Sequence, residues 1–116
     1  MKNLTHVEKN ALKDVQKILT QKYRDNLIVL KLFGSKARGD SQRYSDIDLL
    51  AVVEKDSWQA SDKMSDDIFD IMEKYNYELL ISLVVLDYDE FALEQKIGTC
   101  FYENIEREGI ELWKRN

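Results

Sequence analysis

The sequence predicts an α/β (α+β) fold, a small mixed β-sheet packed with helices. Two observations carry this. The apolar patterning alternates between helical and strand-like periods in the order helix, strand, strand, helix, strand, helix, helix, short strand. One run, "ELLISLVVL" at residues 78–86, is almost continuously apolar, as a strand covered on both faces would be. At 116 residues there is room for one core, so the expectation is a single domain over residues 1–116.

The elements follow in order. Leu4, Val7, Ala11, Leu12, Val15, Ile18 and Leu19 recur at helical spacing, and Thr5 with Glu8 forms a capping box. Leu4 is placed for a hydrophobic staple, and the helix should stop near residues 24–26. "LIVLKLF" at residues 27–33, bounded by Asn26 and Gly34, reads as a strand. "DIDLLAVV" at residues 46–53 is the second strand. A helix spans about residues 58–75, with Met64, Ile68, Ile71, Met72 and Tyr75 on one stripe. The third strand covers residues 78–86. Asp87 and Glu90 cap a short helix to about Lys96, another helix covers about residues 99–108, and Gly109 suits its C′ position. "IELW" is a short last strand.

Composition excludes several classes. A charged fraction of 34% beside 44% hydrophobic residues is that of an ordinary globular protein, not a disordered one. Net charge is −5, and an acidic surface argues against a grip on long nucleic acid, which needs a Lys/Arg face. The single cysteine, Cys100, forbids an internal disulfide, suits a reducing cytoplasm and reads as a small core residue. Residues 1–14 show no apolar signal segment, and no apolar run is long enough to span a membrane. The expectation is a cytoplasmic protein.

The chemistry lies in residues 32–52, "LFGSKARGDSQRYSDIDLLAV". Residues i and i+2 of a strand face the same way, so Asp46 and Asp48 project together while Ile47 and Leu49 enter the core. Aspartate is depleted in strands, and two like charges on one face repel, so at least one pKa should rise. A divalent cation removes that cost, and Mg²⁺ takes such hard oxygen ligands while keeping positions for water and phosphates. An exposed strand start would explain the pair more simply.

The Gly-Ser turn complements the acids. Gly34 permits a tight turn and close approach of a phosphate. The Ser35 hydroxyl and the N–H groups of Ser35 and Lys36 are phosphate donors, and Lys36 and Arg38 add positive charge nearby. Gly34 to Gly39 matches the glycines of a P-loop, but Asp40 stands where its lysine must be, so that reading fails. "RGD" at residues 38–40 is a coincidence in a chain without a secretion signal. Gly-Ser, ten residues, then Asp-x-Asp should arise by chance in fewer than about one in a hundred chains of this length.

This stretch resembles the minimal nucleotidyltransferases of the DNA polymerase β superfamily, which pair Gly-Ser with Asp-x-Asp across a spacer of about this length. "ARG" after the Gly-Ser, "SDIDL" and the final "FYENIEREGIELW" also resemble members of that group. The resemblance covers nearly the whole chain. It implies the polymerase β palm-like fold and transfer of an NMP unit, usually AMP from ATP, to a hydroxyl with release of pyrophosphate. It places the triphosphate on Gly34 and Ser35, with Lys36 and Arg38 beside it, and Mg²⁺ on Asp46 and Asp48. Arg38 is either a charge partner for the phosphates or the acids, or part of a structural salt bridge.

One departure stands out. The superfamily carries a third carboxylate on a neighbouring strand, and Ser82 of "ISLVVL" occupies that place here. Glu78 lies four residues earlier on the expected strand, and Asp87 and Asp89 read as helix caps. The resemblance also implies a partner: relatives of this size lie beside a small HEPN-domain protein, and some transfer AMP to its tyrosine as antitoxins. A homodimer is the other assembly considered. The alternative function is a catalytically weak or inactive module that neutralises a HEPN partner by contact, which Ser82 favours. Among the remaining residues, His6 is not expected to be catalytic, Trp58 and Trp113 are core or interface anchors, and "FYENIERE" packs its aromatics in the core.

Overall fold

The computed structural model describes residues 4–39 and 46–116. Its sheet comprises β1 (Leu27–Phe33), β2 (Ile47–Val53), β3 (Ile81–Asp87) and β4 (Ile110–Lys114) in the order β3-β2-β1-β4. β1 pairs antiparallel with both β2 and β4, whereas β2 and β3 run parallel. A parallel pair needs a crossover, and α3 (Ser57–Lys74) supplies it. The remaining helices are α1 (His6–Lys22), the short α2 (Gly34–Arg38), α4 (Tyr88–Ile97) and α5 (Cys100–Glu108). The mixed sheet packed with helices agrees with the fold class expected from the sequence.

Strand alternation divides the core in two. Ile47, Leu49, Ala51 and Val53 point to the α1–α3 side, where they meet Ala11, Leu12, Val15, Leu19, Met64, Ile68 and Ile71. Leu50 and Val52 point to the other side and meet Ile105 of α5, with Val84, Phe91 and Phe101 packed around them. Each such aliphatic side chain fully removed from water contributes about 1.5–3 kcal/mol. β2, flanked by strands and faced by helices, therefore buries five consecutive residues, 49–53.

The helix ends follow the sequence. Thr5 and Glu8 form the capping box of α1, and Asp87 with Glu90 forms that of α4. Leu4 makes no staple, because the N4 position is Lys9; it enters the main core instead.

Several expectations need correction. β3 begins at Ile81 rather than residue 78: after α3 the chain turns through Asn76 and Tyr77, both with positive φ, and Leu80 makes the first link to β2, its carbonyl accepting the Ile47 N–H at 2.8 Å. β3 is an edge strand, and only Ile81 along it is buried, the rest being half-buried or exposed. Its apolar run reflects helices on both faces: Leu83 and Val85 pack against the α1–α3 core, and Val84 and Leu86 pack on the side of Phe91 of α4. Gly109 is extended (φ −66°), not left-handed; its place is tight because a Cβ would overlap the carbonyl of Ile105. Cys100 is exposed on the first turn of α5, and Trp58 at the start of α3 is 83% exposed. Trp58 is thus no core anchor, whereas Trp113 packs against the main core.

Candidate active site

β1 ends and β2 begins at the same end of the sheet. The register sets Phe33 of β1 beside Asp48 of β2, and Asp48 beside Ser82 of β3. Paired residues share a face, so this row of three crosses the sheet on the side that carries α4 and α5. Phe33 is roofed by Phe101 of α5, the ring centroids 5.5 Å apart. α4 starts only after β3 ends, so it covers the far end of that strand and leaves Ser82 exposed. Asp48 is half-buried in the middle of the row.

Gly34 follows Phe33 directly and lies against Asp48. Its φ of +73° disfavours any other residue, and a Cβ built there would overlap Asp48 Oδ2 and sit 3.3 Å from Cγ. The glycine therefore brings the turn into direct contact with the carboxylate. From it runs α2, five residues long, closed by Gly39 at φ +80°, whose N–H donates to the Ser35 carbonyl at 3.0 Å. Ser35 is half-buried on the first turn.

Asp46 sits just outside β2, exposed, one residue before the strand. Burial raises the Asp48 carboxyl above its ordinary range, and the charge of Asp46 raises it further; the Arg38 guanidinium pulls the other way without cancelling them. The two acids are thus electrostatically coupled. Arg38 also pairs with Glu108 of α5 at 3.3 Å, so both roles considered for it, charge partner and structural salt bridge, are visible together.

Lys36 behaves differently from the other candidates. Its side chain is 1% exposed and turns inward to Glu8 of α1, with Nζ 2.8 Å from Oε2. The ammonium therefore faces the core side, and only the backbone N–H of Lys36 remains on the turn. Sequence reasoning found Glu8 as a cap but missed this second use of it. Glu78 lies in the turn before β3, not on the strand face, so it does not take the third acidic place. The spacer residues 40–45, including Asp40 of the RGD triplet, fall outside the described residues.

The acid pair suits a divalent cation. Among the described residues no cluster of three or more His, Cys, Asp or Glu side chains could enclose a metal ion. Two carboxylates that repel each other leave most coordination positions for water and phosphate oxygens, as Mg²⁺ prefers. A groove of about 670 Å³ lies elsewhere: Lys22, Tyr23, Asp56 and Asp67 line it at the opposite end of β1 and β2. It shares no residue with the Gly-Ser turn or the acids.

A mixed sheet carrying a Gly-Ser turn against an aspartate at the start of β2, with a second aspartate just before that strand, is the framework of a nucleotidyltransferase. Comparison with known proteins agrees, and the chain belongs to the family described as "Polymerase beta, Nucleotidyltransferase", whose model matches residues 13–116. It is 33% identical over 108 residues to a Methanocaldococcus jannaschii protein named "Putative protein adenylyltransferase", covering 91% of this chain and 98% of that one. A second protein of that organism with the same descriptive name is 31% identical over 111 residues, covering 94% and 98%. Among solved structures, the spectinomycin adenyltransferase of Enterococcus faecialis, solved with ATP and spectinomycin, shares the fold. Its TM-score is 0.61 at 17% identity, over 93% of this chain and 56% of that one. Among the described residues no helix is long and apolar enough to cross a membrane.

Proposed function

We propose that this nucleotidyltransferase transfers AMP from ATP to a hydroxyl of another protein, with Mg²⁺ held by Asp46 and Asp48. The observation that carries this reading is the abutment of Gly34 on Asp48, which makes the phosphate turn and the acid pair one site. Ser35 and the turn's N–H groups hold the β- and γ-phosphates, and Arg38 balances charge beside Asp48. When bound, Mg²⁺ offsets the charge developing on the α-phosphate and its leaving oxygen.

The order of the strands supports a direction of attack. Pyrophosphate leaves on the β1 side, over Gly34 and Ser35. An in-line displacement then brings the acceptor from the β3 side, past Ser82. β3 is the sheet edge and Ser82 is exposed, so that approach is open to a macromolecule. Relatives named as protein adenylyltransferases over nearly their full length support a protein acceptor. The family resemblance supports a tyrosine of a HEPN-domain partner as that acceptor, and an antitoxin role in the cytoplasm.

The second reading is neutralisation of the same partner by contact, with weak or no transfer. It is favoured by Ser82, which sits in register with Asp48 where an acid would otherwise help activate the acceptor. The deciding experiment incubates the chain with labelled ATP, Mg²⁺ and the HEPN-domain protein encoded nearest to it. Label on the partner, lost when Asp46→Asn and Asp48→Asn are combined, is the expected result. Unlabelled partner that still binds the wild-type chain leaves only the contact reading.

A further inference from the structure

Lys36 is the bulkiest fully buried side chain among the described residues. Its Nζ lies 2.8 Å from Glu8 Oε2 but out of hydrogen-bonding alignment, and it donates to no other described group. Glu8 is 5% exposed, and its other oxygen is already committed: Oε1 accepts the Thr5 N–H at 2.9 Å in the capping box. The Thr5 hydroxyl in turn accepts the Glu8 N–H at 3.0 Å. Glu8 is therefore a carboxylate in a fixed place on α1, with one oxygen directed at the middle of α2.

A buried ion pair is a poor device for stability. Apolar residues of similar volume in its place are often neutral or stabilising. Its value here lies in where it acts. Five residues cannot hold a helical turn by themselves. α2 is gripped on one side by Glu8 through Lys36, and on the other by Glu108 of α5 through Arg38. Lys36 is adjacent to Ser35, and Gly34 already touches Asp48, so a small shift of α2 would change the spacing between the turn and the acid pair.

We propose that Glu8 and Lys36 are positioning residues for nucleotide binding: their buried ion pair sets the Gly34-Ser35 turn at its working distance from Asp48. This rests on the reading of Gly34 and Ser35 as the phosphate contacts. Neither side chain touches the nucleotide; each acts through the backbone of α2.

The test is the double variant Glu8→Gln with Lys36→Met. The glutamine amide keeps an acceptor for the Thr5 N–H, the methionine keeps nearly the length of the lysine stem, and no buried charge is left unpaired. The variant should melt at or above the wild-type temperature. Without nucleotide, amide hydrogen exchange over residues 34–39 should accelerate while that of α1 is unchanged. With Mg²⁺ and ATP, the KM for ATP should rise roughly tenfold or more, from lost pre-organisation, with the KM for the protein acceptor unaltered. Unchanged exchange over 34–39 in the folded variant would overturn the positioning role, as would an unchanged KM for ATP. Wild-type chain that binds no ATP at all would overturn the reading of the site instead, and the exchange measurement separates the two results.

Discussion

Asp14 and Asp48 are both half-buried aspartates, yet they lie on opposite sides of the ordinary carboxylate range. Asp14 faces the seam between α1 and α3. Burial pushes its carboxyl up, but the Tyr75 hydroxyl at 2.6 Å and the Lys74 ammonium at 2.9 Å donate to it, and together they hold it below the usual value. The arrangement repeats at the other end of the seam, where Asp67 accepts from Lys22 at 2.6 Å and Tyr23 at 2.5 Å. There burial and the neighbouring Asp67 carry the Tyr23 hydroxyl well above its ordinary value. Among the described residues Asp48 has no such settlement: burial and Asp46 raise it, and Arg38 offsets them only in part. The seam neutralises its acids with its own side chains. Among the described residues the site keeps an excess of negative charge, which a cation bringing phosphates can satisfy.

The largest expected effect breaks the site and spares the seam. Combining Asp46→Asn and Asp48→Asn should reduce transfer about a thousandfold or more, the scale of losing a metal that stabilises transition-state charge. Circular dichroism should be unchanged, because neither side chain belongs to the cores. Mg²⁺ with ATP should raise the melting temperature of the wild type and not of this variant. Equal stabilisation of both would show that the acids hold no metal.

Gly34→Ala tests the contact itself. The left-handed backbone costs a Cβ-bearing residue about 1–2 kcal/mol, and the new methyl would displace the Asp48 carboxylate. Activity should fall roughly a hundredfold, the cost of misplacing a reacting group by about an ångström. Chemical denaturation and partner labelling measure the two losses separately. A variant with wild-type labelling would mean that the turn and Asp48 need not touch.

Much of this was legible in the sequence because local rules agree with the fold. β1 matches its expected bounds at residues 27–33, since Asn26 and Gly34 punctuate it clearly. The buried stripe of α3 and the two capping boxes were equally explicit. What could not be read depends on neighbours distant in sequence. Residues 78–86 are as apolar as a central strand, but strand order alone makes β3 an edge and leaves Ser82 open. Lys36 looks like one more basic residue beside a phosphate turn. Only the packing of α1 against that turn shows that Glu8, far earlier in the chain, takes its charge. A glutamate used in a capping box gives no sign that its second oxygen is engaged elsewhere.

At the seam the effect is moderate. Asp14→Asn removes a charged acceptor shared by Tyr75 and Lys74, and should cost about 1 kcal/mol at neutral pH with transfer unchanged. Because folding lowers this carboxyl, its contribution is present above the unfolded value of 3.8 and is lost as pH falls through the lower folded value. The gap between variant and wild type should therefore close in acid. A loss of partner labelling in this folded variant would contradict the separation of seam from site.

The smallest effect has the opposite sign. Folding raises the Asp48 carboxyl, so its ionised form opposes the folded state. The cost is absent below the unfolded value of 3.8, where the group is protonated in both states. It grows as pH rises from there to the folded value, and is complete above that value. Asp48→Asn alone, without nucleotide or metal, should therefore melt above the wild type at pH 7 and alongside it once the pH falls below the unfolded value. Saturating Mg²⁺ with ATP should narrow the difference at pH 7 by stabilising only the chain that still has its acid pair. Thermal melts across that pH range decide the matter. A variant less stable than wild type at pH 7 would mean that the chain already compensates Asp48 as fully as it does Asp14, and the excess charge assigned to the site would not exist.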